Sequence, residues 1–305
     1  MLEEFGGPLQ RIRAAAPLAS ASVAGSSNVA ATGILSLFFW NLLAPPYNRK
    51  NEDEQEWLRR MRLQMQEAKA ANADIMAFQE FWCASEQYCS LWRQFAEQHG
   101  YTMHVTPRVD SKRDGCAMLV KGCCEAHFSA FTFADWGSRI VQSTELRFGD
   151  RFITLLHTHL TFPHASDHDP PMRLQQGRKL AEHVQALGAG AAVCCFGDFN
   201  GDFTDPAVAL LCRSGELQPP PPCAGGEPEP WVSHVAHTGS LMACDHALTK
   251  NCEVRGWRLG GSREALISGA LPSDHRWVHA ELALEPGGRA VRSALGQRPD
   301  AEGGA

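Results

Sequence analysis

"RIVQSTELRFGDRFITLLHTHL", residues 139–160, is two runs of alternating apolar and polar side chains separated by Gly149-Asp150. A period of two turns one face of each run inward, and a Gly-Asp break is turn chemistry, so the stretch predicts an antiparallel hairpin. Around it, strand-like and helix-like segments alternate. "ILSLFFWNLL" (34–43) is a continuous apolar run, rich in aromatic and branched side chains, that suits a strand buried on both faces. Residues 53–72 carry Trp57, Met61, Met65 and Ala68 at steps of three and four, the spacing of an amphipathic helix. Further strands are expected at "DIMAFQE" (74–80), "YTMHVT" (101–106), "GCAMLVK" (115–121), "AAVCCF" (191–196), "DHALT" (245–249) and "WVHAELAL" (277–284). Helices are expected at 85–98, at 171–187 after Pro170-Pro171, and from Pro206. Hairpins beside crossovers exclude an all-parallel sheet and predict an α/β sandwich of two packed sheets flanked by helices.

The chain has 305 residues and 44 % apolar content, enough for one large core. One domain is expected over 33–285. Residues 1–32 read as a disordered tail with some transit-peptide character, and 286–305 as a second tail. The proline-rich 218–230 reads as a surface loop, because strand-like sequence follows it. Eleven cysteines, several inside apolar segments and two pairs adjacent (Cys123-Cys124, Cys194-Cys195), suit core packing in a reducing compartment better than a disulfide framework. The net charge of −6 gives no global attraction to nucleic acid or anionic membranes. No apolar run approaches the roughly 18 residues of a span, so a soluble intracellular protein is expected, cytoplasmic or organellar.

The polar residues that stand out all end strands or begin the next loop: Asn41, Glu80, His159, Asp198, Asn200, Asp245 and Asp274-His275. Strand ends are where two sheets can gather side chains around one cleft. Their types suit one task. Glu80 offers hard oxygen ligands of the kind that hold magnesium together with water and a substrate phosphate. Asp198 can take a proton from an attacking water, while Asn200 and Asn41 donate hydrogen bonds to phosphate oxygens without adding negative charge. An extended two-residue step would point Asp198 and Asn200 the same way. His159 and His275 supply donors that carry charge when paired with a carboxylate, and Asp245 is the expected orienter of His275.

"WNLL" (40–43), "FQE" (78–80), "DGCAMLVK" (114–121), "THL" (158–160), "GDFN" (197–200), "CDHAL" (244–248) and "SDH" (273–275), in this order, resemble the endonuclease/exonuclease/phosphatase superfamily across residues 34–284. That superfamily includes deoxyribonuclease I, abasic-site endonucleases, neutral sphingomyelinases and the deadenylase/nocturnin group. "GSRIVQ" (137–142), "HTHLTFPH" (157–164) and "WVSH" (231–234) are closer still to plant members, without the EF-hands some of them carry. The resemblance implies a four-layer deoxyribonuclease I-like fold and a magnesium-dependent phosphohydrolase, with manganese able to substitute. It makes Glu80 the metal ligand, with Asn41 and Asp274 adjoining, and places Asp198 and Asn200 at the nucleophile and scissile phosphate. His159 falls at the phosphate, and His275, paired with Asp245, is the catalytic histidine. The family strand before "DHAL" often carries a basic residue that "GSLMAC" lacks; Arg139 and Arg173 are the candidates to replace it on the substrate, a structural ion pair being the other reading of each.

Other readings are weaker. "DSKRDG" (110–115) begins like a calcium loop, but Lys112 and Lys121 stand where acids or amides are needed. "HTHLTFPHASDHDP" has the histidine density of a zinc hydrolase, yet Thr161 and Phe162 occupy the positions where its further ligands belong. A phospholigand-binding module without turnover would not need every chemically competent side chain. The expected partner is a phosphate-ester substrate: nucleic acid, nucleotide, or the head group of a phospholipid, sphingomyelin or phosphoinositide. A phosphodiester is favoured over a monoester, and no protein partner is implied.

Overall fold

The strand Ile34–Asn41 shows why its sequence is apolar throughout. Leu35, Leu37 and Phe39 lie in a core shared by two sheets, and the alternate residues Phe38 and Trp40 lie in a second core beneath two helices. The computed structural model describes residues 7–12, 33–48, 50–110, 112–122, 124–148, 151–164, 166–221 and 231–284. Most of the two expected tails, the Gly149-Asp150 turn and the end of the proline-rich loop lie outside them.

One six-stranded sheet runs β1 (Gln10–Ile12), β6 (Ala126–Thr132), β7 (Ile140–Phe148), β8 (Arg151–His159), β9 (Ala192–Asp198) and β12 (Asp245–Lys250) in spatial order. The other runs β13 (Cys252–Leu259), β14 (Val278–Leu284), β2 (Ile34–Asn41), β3 (Ile75–Phe81), β5 (Gly115–Lys121) and β4 (Tyr101–Pro107). Each sheet is antiparallel apart from one parallel pair, β8 with β9 and β2 with β3. A short ribbon pairs β10 (His234–Val235) with β11 (Leu241–Met242). Helices α1 (Glu54–Ala71) and α2 (Glu86–Gln98) cover the second sheet through Met61, Ala68, Trp92 and Phe95. Helices α3 (Asp169–Ala186) and α4 (Pro206–Gly215) cover the first through Leu180, Val184, Val208 and Leu211, and a short α5 spans Arg263–Ile267. The result is the expected two-sheet sandwich with helices on both outer faces.

Local chemistry sets the boundaries. Asp53 and Glu56 form a reciprocal capping box at the start of α1, and Asn72 closes it in the left-handed region. Helix α3 begins at Asp169, two residues before the expected start, because its prolines fit the first turn, where no backbone donor is needed. Gln10–Ile12, inside the stretch read as a tail, pair with the edge of β6. Among the described residues no helix is long and apolar enough to cross a membrane.

The inter-sheet core carries one polar chain. His157 donates from Nδ1 to Gln142 Oε1 (2.9 Å) and faces Gln79 Nε2 at 2.5 Å, while its ring stacks on Phe196. Gln142 Nε2 donates in turn to Thr106 Oγ1 (3.0 Å) and to the carbonyls of His104 and Cys116. Burial holds His157 down at about 3, so it is neutral and serves as one donor and one acceptor.

Gly197 precedes the acid of "GDFN". It has φ +132°, and a Cβ there would lie 2.0 Å from the Thr158 carbonyl oxygen, so β9 presses against β8 one residue before the site. Gly197→Ala is expected to cost about 3 kcal/mol or more from strain and overpacking, read as a fall in the midpoint of chemical denaturation.

Candidate active site

Three neighbouring strands bring their last or first residues into one register row. His159 pairs with Asp198 across β8 and β9, and Asp198 pairs with Asp245 across β9 and β12. The opposite sheet contributes Asn41 from the end of β2, whose Nδ2 donates to Asp198 Oδ2 at 3.0 Å. His275, from the loop before β14, donates from Nδ1 to Asp245 Oδ2 (2.9 Å) and places Nε2 3.6 Å from Asp198 Oδ2. His159 Nε2 lies 3.4 Å from the same oxygen. All five side chains are buried, and both sheets are needed to assemble them.

The two histidines differ in charge. Burial works against an imidazolium at His275, but Asp245 and Asp198 outweigh it and hold the ring up at about 10. At His159 burial and the Arg139 guanidinium act together and push it well below the ordinary histidine value. Arg139 Nη1 donates to His159 Nδ1 (2.9 Å), so the single ring proton of His159 sits on Nε2, toward Asp198. The site thus has one cationic and one neutral imidazole.

The "GDFN" geometry is not the extended step expected. Asp198 ends β9, Asn200 takes φ +51°, and Asp198 Oδ1 accepts the Asn200 backbone N–H at 2.8 Å. A tight turn therefore joins the acid and the amide, and Asn200 Nδ2 donates to the Leu160 carbonyl (2.9 Å), across the end of β8. Asparagine tolerates that backbone better than most residues.

Glu80 is aimed by a bulge. The β3–β5 register jumps between Phe78 and Phe81, and Glu80 takes φ +51° within it. Its Oε2 accepts the Ala44 N–H at 3.0 Å. Burial and the like charges of Asp274 and Asp114 push the carboxyl up to about 7. Those neighbours have partners of their own: Asp114 meets Arg108 at 3.1 Å, and Asp274 meets His234 at 3.6 Å. Glu80 forms no direct ion pair among the described residues, and Asn41 pairs with Gln79, one residue before it, across β2 and β3. Carboxylate and amide oxygens are hard donors, which fit magnesium or manganese. The other groups able to converge on a cation among the described residues, Asp198 with Asp245 and His275, and His234 with Cys244 and His275, both include the histidine held as a cation. Neither contains His157 or His159, as a zinc hydrolase would require.

A model of the Endonuclease/Exonuclease/phosphatase family matches residues 38–275, which span every strand end described above. The chain belongs to that family. Its members are phosphate-ester hydrolases, and the sandwich is their deoxyribonuclease I-like fold. Among solved structures, the human Nocturnin catalytic domain with bound sulfate aligns at TM-score 0.64 and 19 % identity, over 83 % of this chain and 95 % of that one. Truncated Caenorhabditis elegans TDP2 aligns at TM-score 0.62 and 21 % identity, over 82 % and 97 %. ANGEL2, a 2',3'-cyclic phosphatase in complex with adenosine-2',3'-vanadate, aligns at TM-score 0.67 and 16 % identity, over 83 % and 96 %. No curated protein matches the sequence.

Of the two readings open for Arg173, substrate contact or structural ion pair, the structure favours the second. Arg173 is buried on α3, donates to the Thr161 and Phe199 carbonyls, and pairs with Asp205 at 2.9 Å. It braces the loops after β8 and β9. Arg139 stays at the site, and its Nε has no hydrogen-bond partner among the described residues. Two further groups carry the site without having been singled out. Tyr47 donates to Asp114 Oδ1 at 2.8 Å beside Glu80, and His234 stacks on His275 with centroids 3.9 Å apart and planes at 10°. "RDG" and "WVSH" held these signals, but a lone acid before a strand and a lone histidine in a loop have ordinary turn readings as well.

Proposed function

We propose that the protein is a magnesium-dependent phosphodiesterase, nuclease-like in chemistry, that hydrolyses its ester by in-line attack of water. The observation that carries this reading is the meeting of Asn41, His159 and His275 at one oxygen of Asp198, with the Glu80 carboxylate, which forms no direct ion pair among the described residues, alongside. A divalent cation held by Glu80, with Asn41 and Asp274 adjoining, would polarise a phosphoryl oxygen and offset its growing charge.

The chain's own residues supply the rest. Asp198 takes a proton from the attacking water as the new phosphorus–oxygen bond forms, and the ester bond opposite breaks, the departing oxygen being reprotonated from solvent. Asn41 and the Asn200 N–H fix the carboxylate for that transfer. His275, held charged by Asp245, and Arg139, with donors to spare, meet the phosphate oxygens with positive charge. Amides and the neutral His159 add donors without charge. A singly charged diester suits this balance better than a doubly charged monoester, which Asp198 and Asp274 would repel. Nocturnin holds a sulfate and ANGEL2 an adenosine-2',3'-vanadate, both oxyanionic stand-ins for a phosphate group, and they support the reading.

The test compares bis-p-nitrophenyl phosphate with p-nitrophenyl phosphate in magnesium and then in EDTA. The expected result is turnover of the diester, loss in EDTA, and recovery on adding magnesium or manganese. Turnover that survives EDTA, or none in either metal, overturns the proposal.

A further inference from the structure

The β6–β7 loop, residues 133–139, is fastened along its length. Phe133 N–H donates to Arg139 O (3.2 Å) and Ser138 N–H to Asp135 O (3.0 Å), while Arg108 donates to Gly137 O (2.6 Å). Lys179 donates to Phe133 O (2.5 Å), Gln176 to Asp135 Oδ2 (2.8 Å) and Ser138 Oγ to Asp110 Oδ2 (2.9 Å). From this fixed loop Trp136 is 63 % exposed, more than any other exposed large apolar side chain described. Tryptophan has the largest apolar surface of any side chain, and a rigid loop that holds one in solvent has already arranged it for a flat ligand.

Its place relative to the chemistry is fixed by its neighbours. Gly137 sits so close to Thr161 that a Cβ would come within 2.4 Å of the Thr161 hydroxyl, which lays the loop against the chain just past His159. Arg139, three residues on, holds His159. Three residues span at most roughly 10 Å, the scale of one nucleotide from phosphate to base. His168 meets Trp136 edge-on at 5.8 Å, and Phe162, next to Thr161, contacts His164 (5.0 Å) and His237 (5.2 Å). Rings with nitrogen at their edges suit a flat heteroaromatic group, where an acyl chain would want aliphatic walls.

We infer that Trp136 is a specificity-determining residue that stacks on a nucleobase of the ester bound at Arg139 and His159. The inference rests on the phosphodiesterase reading above. Two arms test it. In EDTA at about pH 5, where a phosphate monoester carries a single charge, adenosine monophosphate quenches a tryptophan signal that is missing in Trp136→Phe, and ribose 5-phosphate does not. With magnesium, Trp136→Ala lowers the ratio of kcat/KM for a dinucleotide over its base-free tetrahydrofuran analogue by about tenfold or more, the scale of one lost stacking contact, and Trp136→Phe restores part of it. An unchanged ratio, equal quenching by ribose 5-phosphate, or a lysophospholipid preferred by the wild type and lost in Trp136→Ala overturns it. If the wild type hydrolyses no ester at all, the phosphodiesterase reading fails, and the quenching arm still decides the stacking.

Discussion

Asp198→Asn lowers kcat by about 10³-fold while leaving the circular dichroism spectrum unchanged. The substitution keeps the volume but removes the group that accepts the water proton, a role worth 10²- to 10⁴-fold. It also puts an amide where Asn41 Nδ2 and the Asn200 N–H both donate, so one of two donors loses its acceptor or the side chain turns away. Both effects act on the chemical step, and KM is expected to move far less than kcat. A variant within tenfold of the wild type would remove Asp198 from the base position. Steady-state kinetics on bis-p-nitrophenyl phosphate, with a melting curve as control, decides it.

His275→Ala carries the second large effect, about 10²- to 10³-fold in kcat, the range for one preorganised donor aimed at developing charge. The acidic groups facing this ring are Asp245, Asp198, Asp274 and Glu80, and the His234 and His159 rings lie on its other sides. The carboxylates outweigh burial and raise His275 to about 10 in the folded protein, against about 6.5 for an ordinary histidine. Stability from this pairing is therefore full below pH 6.5 and is lost as pH rises toward 10. Denaturation midpoints between pH 6 and 10.5 are expected to fall for the wild type and to stay flatter for His275→Ala. Parallel curves would mean that the ring is not held as a cation.

The sequence is clear where one period dominates. β2, β3, β5, β8 and β9 are apolar runs or alternations because both their faces meet a core or one face does, and α1 announces itself by its capping box and its apolar stripe. β6 is mixed in burial along its first half, which blurs any period. β13 alternates well, yet Gly256 and a register shift interrupt it. β10 and β11 are two residues each, too short for any pattern. Site residues stood out because they end strands, a position readable from the run before them. Their geometry did not stand out, since the positive φ of Glu80 and Asn200 comes from a bulge and a turn that only pairing across strands reveals. Arg173 stayed open between substrate contact and ion pair for a related reason: its partner Asp205 lies 32 positions further on, across a strand, and nothing in the chain ties the two together.

Apolar surfaces slide over one another at little energetic penalty, and the two sheets of this protein meet largely through such surfaces. The hydrogen-bonded chain from Gln79 through His157 to Gln142 is directional, so it tells one sheet where to stop against the other. Gln79 precedes Glu80, and His157 stands two residues before His159. The lock therefore sits directly behind the two halves of the site, and a slip of even 1 Å there would misalign the oxygen ligands of one sheet with the imidazole and carboxylates of the other.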